Sequence, residues 1–137
     1  MIRTLRRDET AGPGFAHLMW LATEAGEQEL GRILREELPG LSVIGVVEGN
    51  RVVAFAALDP GVDPTVIEYI AVEEASQGRG HGGALVDAAR DAGSSRAVYA
   101  ETDDDAVDFY RRLGFTVTGK APDPRWPERQ RYACLLG

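Results

Sequence analysis

The chain has 137 residues, the size of one ordinary domain, with 44% apolar residues and a mean hydropathy of -0.21, values of a water-soluble globule. Its net charge of -7 argues against nucleic acid or an anionic membrane as principal partner, because both need a positive surface. One cysteine, Cys134, and two histidines, His17 and His81, leave no metal-ligand cluster to be seen, so no metal is expected.

Residues 1–15 contain no long apolar core, so no signal peptide is expected, and no later run approaches membrane-spanning length, so the cytoplasm is the expected location. Residues 2–6 read as a short first strand. Residues 15–22 have helical periodicity, and 27–38 continue as a second helical piece across the weak point at Gly26, until Pro39-Gly40 stops it. Residues 41–48 and 51–58 are Val-rich runs joined at Gly49-Asn50, an antiparallel hairpin signal with the two turn residues in their less common order. Residues 59–64 form a turn-rich loop. The apolar strand 66–72 follows, then Gln77-Gly-Arg-Gly-His-Gly82, then a helix over 83–90.

Residues 97–101 are a strand reached through that helix, so they lie parallel to 66–72 with a right-handed crossover. Asp103 or Asp104 caps the next helix, 105–113, which ends at Gly114. Strands at 115–119 and 129–136 flank a proline-studded excursion at 120–128. The order β-α-α-β-β-β-α-β-α-β-β describes one domain, residues 1–137, of the α/β (α+β) class: a mixed β-sheet with helices on its faces.

Strand, glycine-rich turn and helix form an arrangement that holds phosphate. The glycines let the turn expose backbone N–H groups, and the helix N-terminus adds unpaired donors and a positive dipole end. Gly78, Gly80, Gly82 and Gly83 lack the spacing of the dinucleotide fingerprint, and no Gly-Lys-Ser/Thr follows, which removes a Walker A loop. A merely flexible glycine-rich turn is the plain alternative.

Two separated motifs carry a resemblance. Gln77, Gly80 and Gly82 meet an Arg/Gln-x-x-Gly-x-Gly/Ala signature after the strand Tyr69-Ile-Ala-Val72. Ala106, Phe109, Tyr110, Gly114 and Phe115 meet an Asn-x-x-Ala-x-x-aromatic-Tyr-x-x-x-Gly-Phe pattern, with Asp103 in place of the usual Asn. In both, and over most of its length, the chain resembles the GNAT superfamily of N-acetyltransferases. The resemblance implies a centrally splayed sheet and acetyl-CoA as acetyl donor. It implies cofactor contacts from Ile70, Ala71 and Val72 on the strand, and from Gln77, Gly78, Arg79, Gly80, His81, Gly82, Gly83 and Ala84 in the turn and helix start. Asp103, Ala106 and Tyr110 complete the implied contacts, although the change at Asp103 puts one of them in question. Arg79 reads equally as a solvated arginine, and the backbone of His81 matters more than its ring.

Acetyl transfer from a thioester to an amine needs a neutral amine, a donor for the developing oxyanion and a proton for the departing thiolate. The resemblance makes Tyr110 the candidate acid and the Val72 amide the candidate donor; by chemistry alone, Phe109-Tyr110 simply packs a helix onto the sheet. Glu68 is the candidate base. A carboxylate within an apolar strand is costly unless it faces a wet cleft or a partner, and desolvation raises its pKa. The alternatives are an exposed side chain beyond the sheet pairing, or a salt bridge to Arg51. Cys134 reads as a buried packing thiol in a late strand away from the site. The helix bearing His17, the loop 59–64 and the segment 122–126 with Trp126 are candidate walls of an acceptor pocket, where Glu24, Asp59 and Asp63 favour an amine. The implied function is transfer of acetyl from acetyl-CoA to a primary amine, on a small molecule or a protein, by direct attack in a ternary complex. The alternative is a non-catalytic acyl-CoA-binding regulatory or protein-interaction module on the same scaffold. The resemblance also carries a homodimer through the late strands.

Overall fold

The hairpin at Gly49-Asn50 organises the sheet. Strands β2 (Ser42–Glu48) and β3 (Arg51–Asp59) pair antiparallel with Glu48 opposite Arg51, and Gly49 takes a φ of 65°, which glycine accepts without strain. The computed structural model describes residues 2–124 and 127–137. The other strands are β1 (Ile2–Thr4), β4 (Thr65–Val72), β5 (Val98–Asp103), β6 (Thr116–Lys120) and β7 (Arg131–Leu136). Together they form a seven-stranded sheet in the order β1-β2-β3-β4-β5-β7-β6, antiparallel everywhere except between β4 and β5.

Helices cover both faces, as the run of buried residues from Val53 to Leu58 on β3 requires. On one side lie α1 (Pro13–Thr23) and α2 (Glu27–Arg32), the latter running on through a π turn (Ile33–Glu37) into a short 3-10 turn (Leu38–Gly40). Phe15, Leu18 and Met19 fall on one stripe of α1 and meet Ile33, Leu38, Val43, Phe55 and Ala57. On the other side α3 (His81–Ala92) presents Leu85, Val86 and Ala89, and α4 (Val107–Arg112) presents Tyr110, to Ala54, Ala56, Ile67, Val98, Ala100 and Cys134. Each such large apolar side chain taken from water stabilises the fold by about 1.5–3 kcal/mol.

The expected elements are all present with shifted ends. The first strand stops at Thr4, and β5 runs on to Asp103 because β7 pairs with it that far, Asp103 opposite Arg131. The helix expected over 105–113 starts only at Val107, with Ala106 at its N-cap. Neither aspartate caps it. The Asp103 carboxylate accepts the Asp105 N–H at 3.0 Å in a turn ahead of the helix, and Asp104 accepts the Tyr132 hydroxyl at 2.5 Å.

Two features of β4 shape the centre of the molecule. Its parallel pairing with β5 covers only Thr65–Val98, Val66–Tyr99 and Ile67–Ala100, after which β4 follows β3 while β5 follows β7. At the point of parting β4 carries a bulge, since Ala57 faces Tyr69 while Leu58 faces Ile67, leaving Glu68 as the extra residue. The bulge resets the alternation: Ile67, Ile70 and Val72 pack on the α3 side, Tyr69 and Ala71 on the α1 side.

Candidate active site

The gap between β4 and β5 exposes backbone. Antiparallel pairs alternate between hydrogen-bonded and open ones, and the Glu73 N–H bonds to the Val53 carbonyl at 2.9 Å, which makes Ala54–Val72 an open pair. Val72, and Ile70 two residues before it, therefore turn their N–H and C=O groups away from β3 and into the gap. Ala71 faces the other way, bonded to Phe55, so the strand amides turned to the gap are those of Ile70 and Val72. The Val72 carbonyl accepts the Gln77 side-chain amide at 3.1 Å, a bond that ties the turn to the strand end.

The glycine turn is open on its outer side. Gln77, Gly78, Arg79 and Gly80 are exposed, and Gly78 and Gly80 hold φ values of 82° and 83°. The first return bond of α3 runs from the Ala84 N–H to the Gly80 carbonyl at 3.0 Å. From Gly78 through Gly83 the backbone N–H groups have no partner among the described residues, a row of donors at the positive end of a three-turn helix. This donor row fits a diphosphate. Gly82 also serves packing, since a Cβ there would stand 2.6 Å from the Phe109 ring. The His81 ring is largely buried, its Nε2 without a hydrogen-bond partner among the described residues and 3.9 Å from Glu48 Oε2. The Arg79 side chain has no ion-pair partner among the described residues.

Tyr110 sits in the same cluster as Ile67 and Ala100, the last paired residues before the gap. It is 4% exposed, held edge-on between Phe109 and Phe115 with ring centroids 5.0 and 5.2 Å away. Its hydroxyl bonds to no other described residue, and burial pushes its pKa up, with the nearby Cys134 adding to the effect. Cys134 is buried as expected, but it is not remote from the site: it pairs with Ala100 across β5–β7 and shares the Tyr110 cluster.

Glu68 projects exposed from the bulge and does not bond to Arg51, which pairs with Glu73. Its carboxyl is nonetheless pushed above the usual range, first by desolvation among the surrounding elements, then by Asp59, Glu37 and Glu101. Two of these acids are engaged. Glu101 binds Lys120 at 2.8 Å and accepts the Tyr99 hydroxyl at 2.7 Å, while Glu37 binds Arg32 and accepts the Tyr69 hydroxyl at 2.5 Å. Neither Glu37 nor Tyr69 stood out in the sequence as a site residue. They meet only because the π turn and the bulge bring them together, and no local pattern announces that contact.

The expected acceptor walls are less unified. His17 is exposed on α1, stacked on Trp20 and bonded to Glu74 at 3.1 Å just after β4. Asp63 accepts the Ser95 hydroxyl, at the end of the sheet where β4 and β5 are still paired. Its loop lines a concavity of about 350 Å³ with Ala92, Gly93 and Ser94. A second concavity, of about 590 Å³, lies between the β2–β3 hairpin and the start of α1. Trp126 lies outside the described residues. Among the described residues no group of acids, histidines and cysteine is arranged to hold a metal ion, and no helix is long and apolar enough to cross a membrane.

Comparison with solved structures gives one fold throughout. An aminoglycoside 6'-N-acetyltransferase complexed with coenzyme A superposes with a TM-score of 0.77 at 16% identity, covering 99% of this chain and 96% of that one. The ribosomal-protein-S18-alanine N-acetyltransferase from Escherichia coli gives 0.67 at 20% identity over 99% and 92% of the two chains. A GNAT family acetyltransferase from Elizabethkingia anophelis with acetyl-CoA bound gives 0.68 at 20% identity over 99% and 95%. At these identities the likeness is one of fold. No curated protein matches the chain. The profile described as an acetyltransferase (GNAT) domain matches residues 39–117, the stretch that runs from the hairpin through the bulge, the glycine turn and Tyr110. With more than half of its length in that match, the chain belongs to the GNAT acetyltransferase family.

Proposed function

We propose that this protein is an N-acetyltransferase that moves the acetyl group of acetyl-CoA to a primary amine while both substrates are bound. The observation that carries the reading is the end of β4–β5 pairing at Ile67. Beyond it lie free strand amides at Ile70 and Val72, with the bulged Glu68 beside them and Tyr110 packed where the strands part.

The open N–H groups of residues 78–83 suit the diphosphate of coenzyme A, and the Ile70 backbone suits the amides of its pantetheine arm. When bound, acetyl-CoA supplies a thioester carbonyl and a thiolate leaving group. Glu68 accepts the proton that the acceptor ammonium must lose, directly or through a water, and its raised carboxyl is suited to that exchange. The Val72 N–H donates to the carbonyl oxygen. Charge develops on that oxygen only during the reaction, so this bond strengthens on the way to the transition state. The Tyr110 hydroxyl, kept protonated by burial, hands its proton towards the sulfur.

Calorimetric titration with acetyl-CoA, followed by thiol release across a panel of primary amines, tests the proposal. Binding with release for one amine class supports it and names the acceptor type. Binding without release from any small or protein amine favours a regulatory acyl-CoA-binding module, and absence of binding overturns the reading.

A further inference from the structure

The Tyr69 hydroxyl donates to Glu37 Oε1 at 2.5 Å, and Tyr69 is the residue directly after the bulged Glu68. Glu37 ends the π turn, marked by the Leu38 N–H reaching back to the Ile33 carbonyl, and its Oε2 is held by Arg32. Arg32 is itself anchored, its Nε donating to Glu29 at 2.5 Å. One carboxylate thus joins a helical segment on the α1 side of the sheet to the neighbour of the candidate base. A π turn in the middle of a helical run is uncommon and recurs at functional sites; here it sets the position from which Glu37 reaches the strand.

We propose that Glu37 is a positioning residue for the reaction: gripped by Arg32 and by the Tyr69 hydroxyl, it fixes where the bulged Glu68 stands and supplies part of the charge that Glu68 faces. The inference rests on the reading of Glu68 as the base. The groups that face Glu68 are Asp59 from the end of β3, Glu37 from the π turn and Glu101 from β5. Arg32 offsets Glu37 and Lys120 offsets Glu101, while Asp59 has no cationic partner among the described residues. Each of the three makes an ionised Glu68 harder to hold. Glu37 alone among them is also fastened to the bulge, through Tyr69. Charge and placement therefore separate by mutation: Glu37→Gln removes the charge and keeps an acceptor for the Tyr69 hydroxyl, whereas Tyr69→Phe removes the tie and keeps the charge.

The test follows the Glu68 carboxyl by 13C NMR in the free protein, its signal assigned by its loss in Glu68→Gln, beside pH profiles of kcat with the best primary amine. In Glu37→Gln the Glu68 titration moves to lower pH, and the acid limb of kcat moves with it. In Tyr69→Phe, kcat falls about tenfold while the Kd for acetyl-CoA stays at the wild-type value, since the glycine turn is untouched. Thermal unfolding is recorded for each variant, and Tyr69→Phe decides the placement alone if Glu37→Gln does not fold. A Glu68 titration unmoved in folded Glu37→Gln, or wild-type kcat in Tyr69→Phe, overturns the proposal. The NMR titration needs no acceptor, so it decides the proposal even where no amine turns over. Failure of the underlying reading looks different: the acid limb of kcat would survive in Glu68→Gln.

Discussion

A Cβ on Gly82 would stand 2.6 Å from Cε1 of Phe109, so α3 and α4 touch at a point that only glycine permits. Phe109 in turn lies edge-on against Tyr110, which carries the strain of any shift towards the gap between β4 and β5. Gly82→Ala is expected to cost about 1–3 kcal/mol of stability and to lower kcat more than it weakens acetyl-CoA binding. Its neighbour is a control. A Cβ on Gly83 meets only Leu113 Cδ2, at 3.4 Å, and alanine is the better helix former by about 1 kcal/mol, so Gly83→Ala should unfold at or above the wild-type temperature. Thermal melts and calorimetry on the two variants check both statements.

Gly78 and Gly80 are needed for a different reason. A Cβ at either would meet nothing within 4 Å, but their φ values of 82° and 83° are strained for any side chain. Alanine at either site costs about 1–2 kcal/mol, and the turn relieves that strain by turning its N–H groups out of line. Acetyl-CoA affinity should fall about tenfold or more in Gly80→Ala, with a smaller change in melting temperature. An affinity equal to wild type would remove the glycine turn from the binding site.

The Tyr110 hydroxyl has no hydrogen-bond partner among the described residues, although the side chain is buried. Removing it therefore breaks no bond to another described residue, and Tyr110→Phe should melt at or slightly above the wild-type temperature. Turnover is expected to fall about 100-fold with acetyl-CoA binding unchanged, as for the loss of a general acid. A variant with full activity would leave Tyr110 as packing alone.

Glu68 links pH, stability and activity. Its carboxyl holds a proton more tightly in the fold than in the unfolded chain, because of desolvation and then Asp59, Glu37 and Glu101. That contribution to stability is present below the ordinary glutamate pKa and is lost as pH rises through the raised value. At neutral pH the ionised side chain costs stability, a cost that the proposed role of base would account for. Glu68→Gln should melt above wild type at pH 7, with the difference vanishing near pH ~4, while kcat falls and its acid limb disappears. Melting curves across that range, paired with the rate profile, decide it.

Much of this fold was legible along the chain because its signals are local. The hairpin at Gly49-Asn50, the helix after Gly80 and the stop at Pro39-Gly40 each follow from the backbone preferences of a few residues. The start of α4 was misplaced by two residues because Asp103 and Asp104 are drawn to Asp105 and Tyr132, partners that a capping rule applied to the sequence does not weigh. That Ile70 and Val72, and not Ala71 between them, turn their amides into the gap is not written in the strand itself. Which amides of a strand are free depends on the parity of its pairing, set here by Ala54 opposite Val72.

The amino-acid sequence by itself determined the order of elements, the glycine turn after β4 and the tyrosine on α4, since period, turn chemistry and motif spacing are properties of neighbouring residues. Only the tertiary structure decided that Glu68 is a bulge residue and that β4 leaves β5 after Ile67. It also decided that Glu37, more than thirty residues away along the chain, binds Tyr69. These depend on register and on which side chains the packed helices bring across the sheet. A strand's own sequence is silent on both, because the free energy that selects them comes from the whole core.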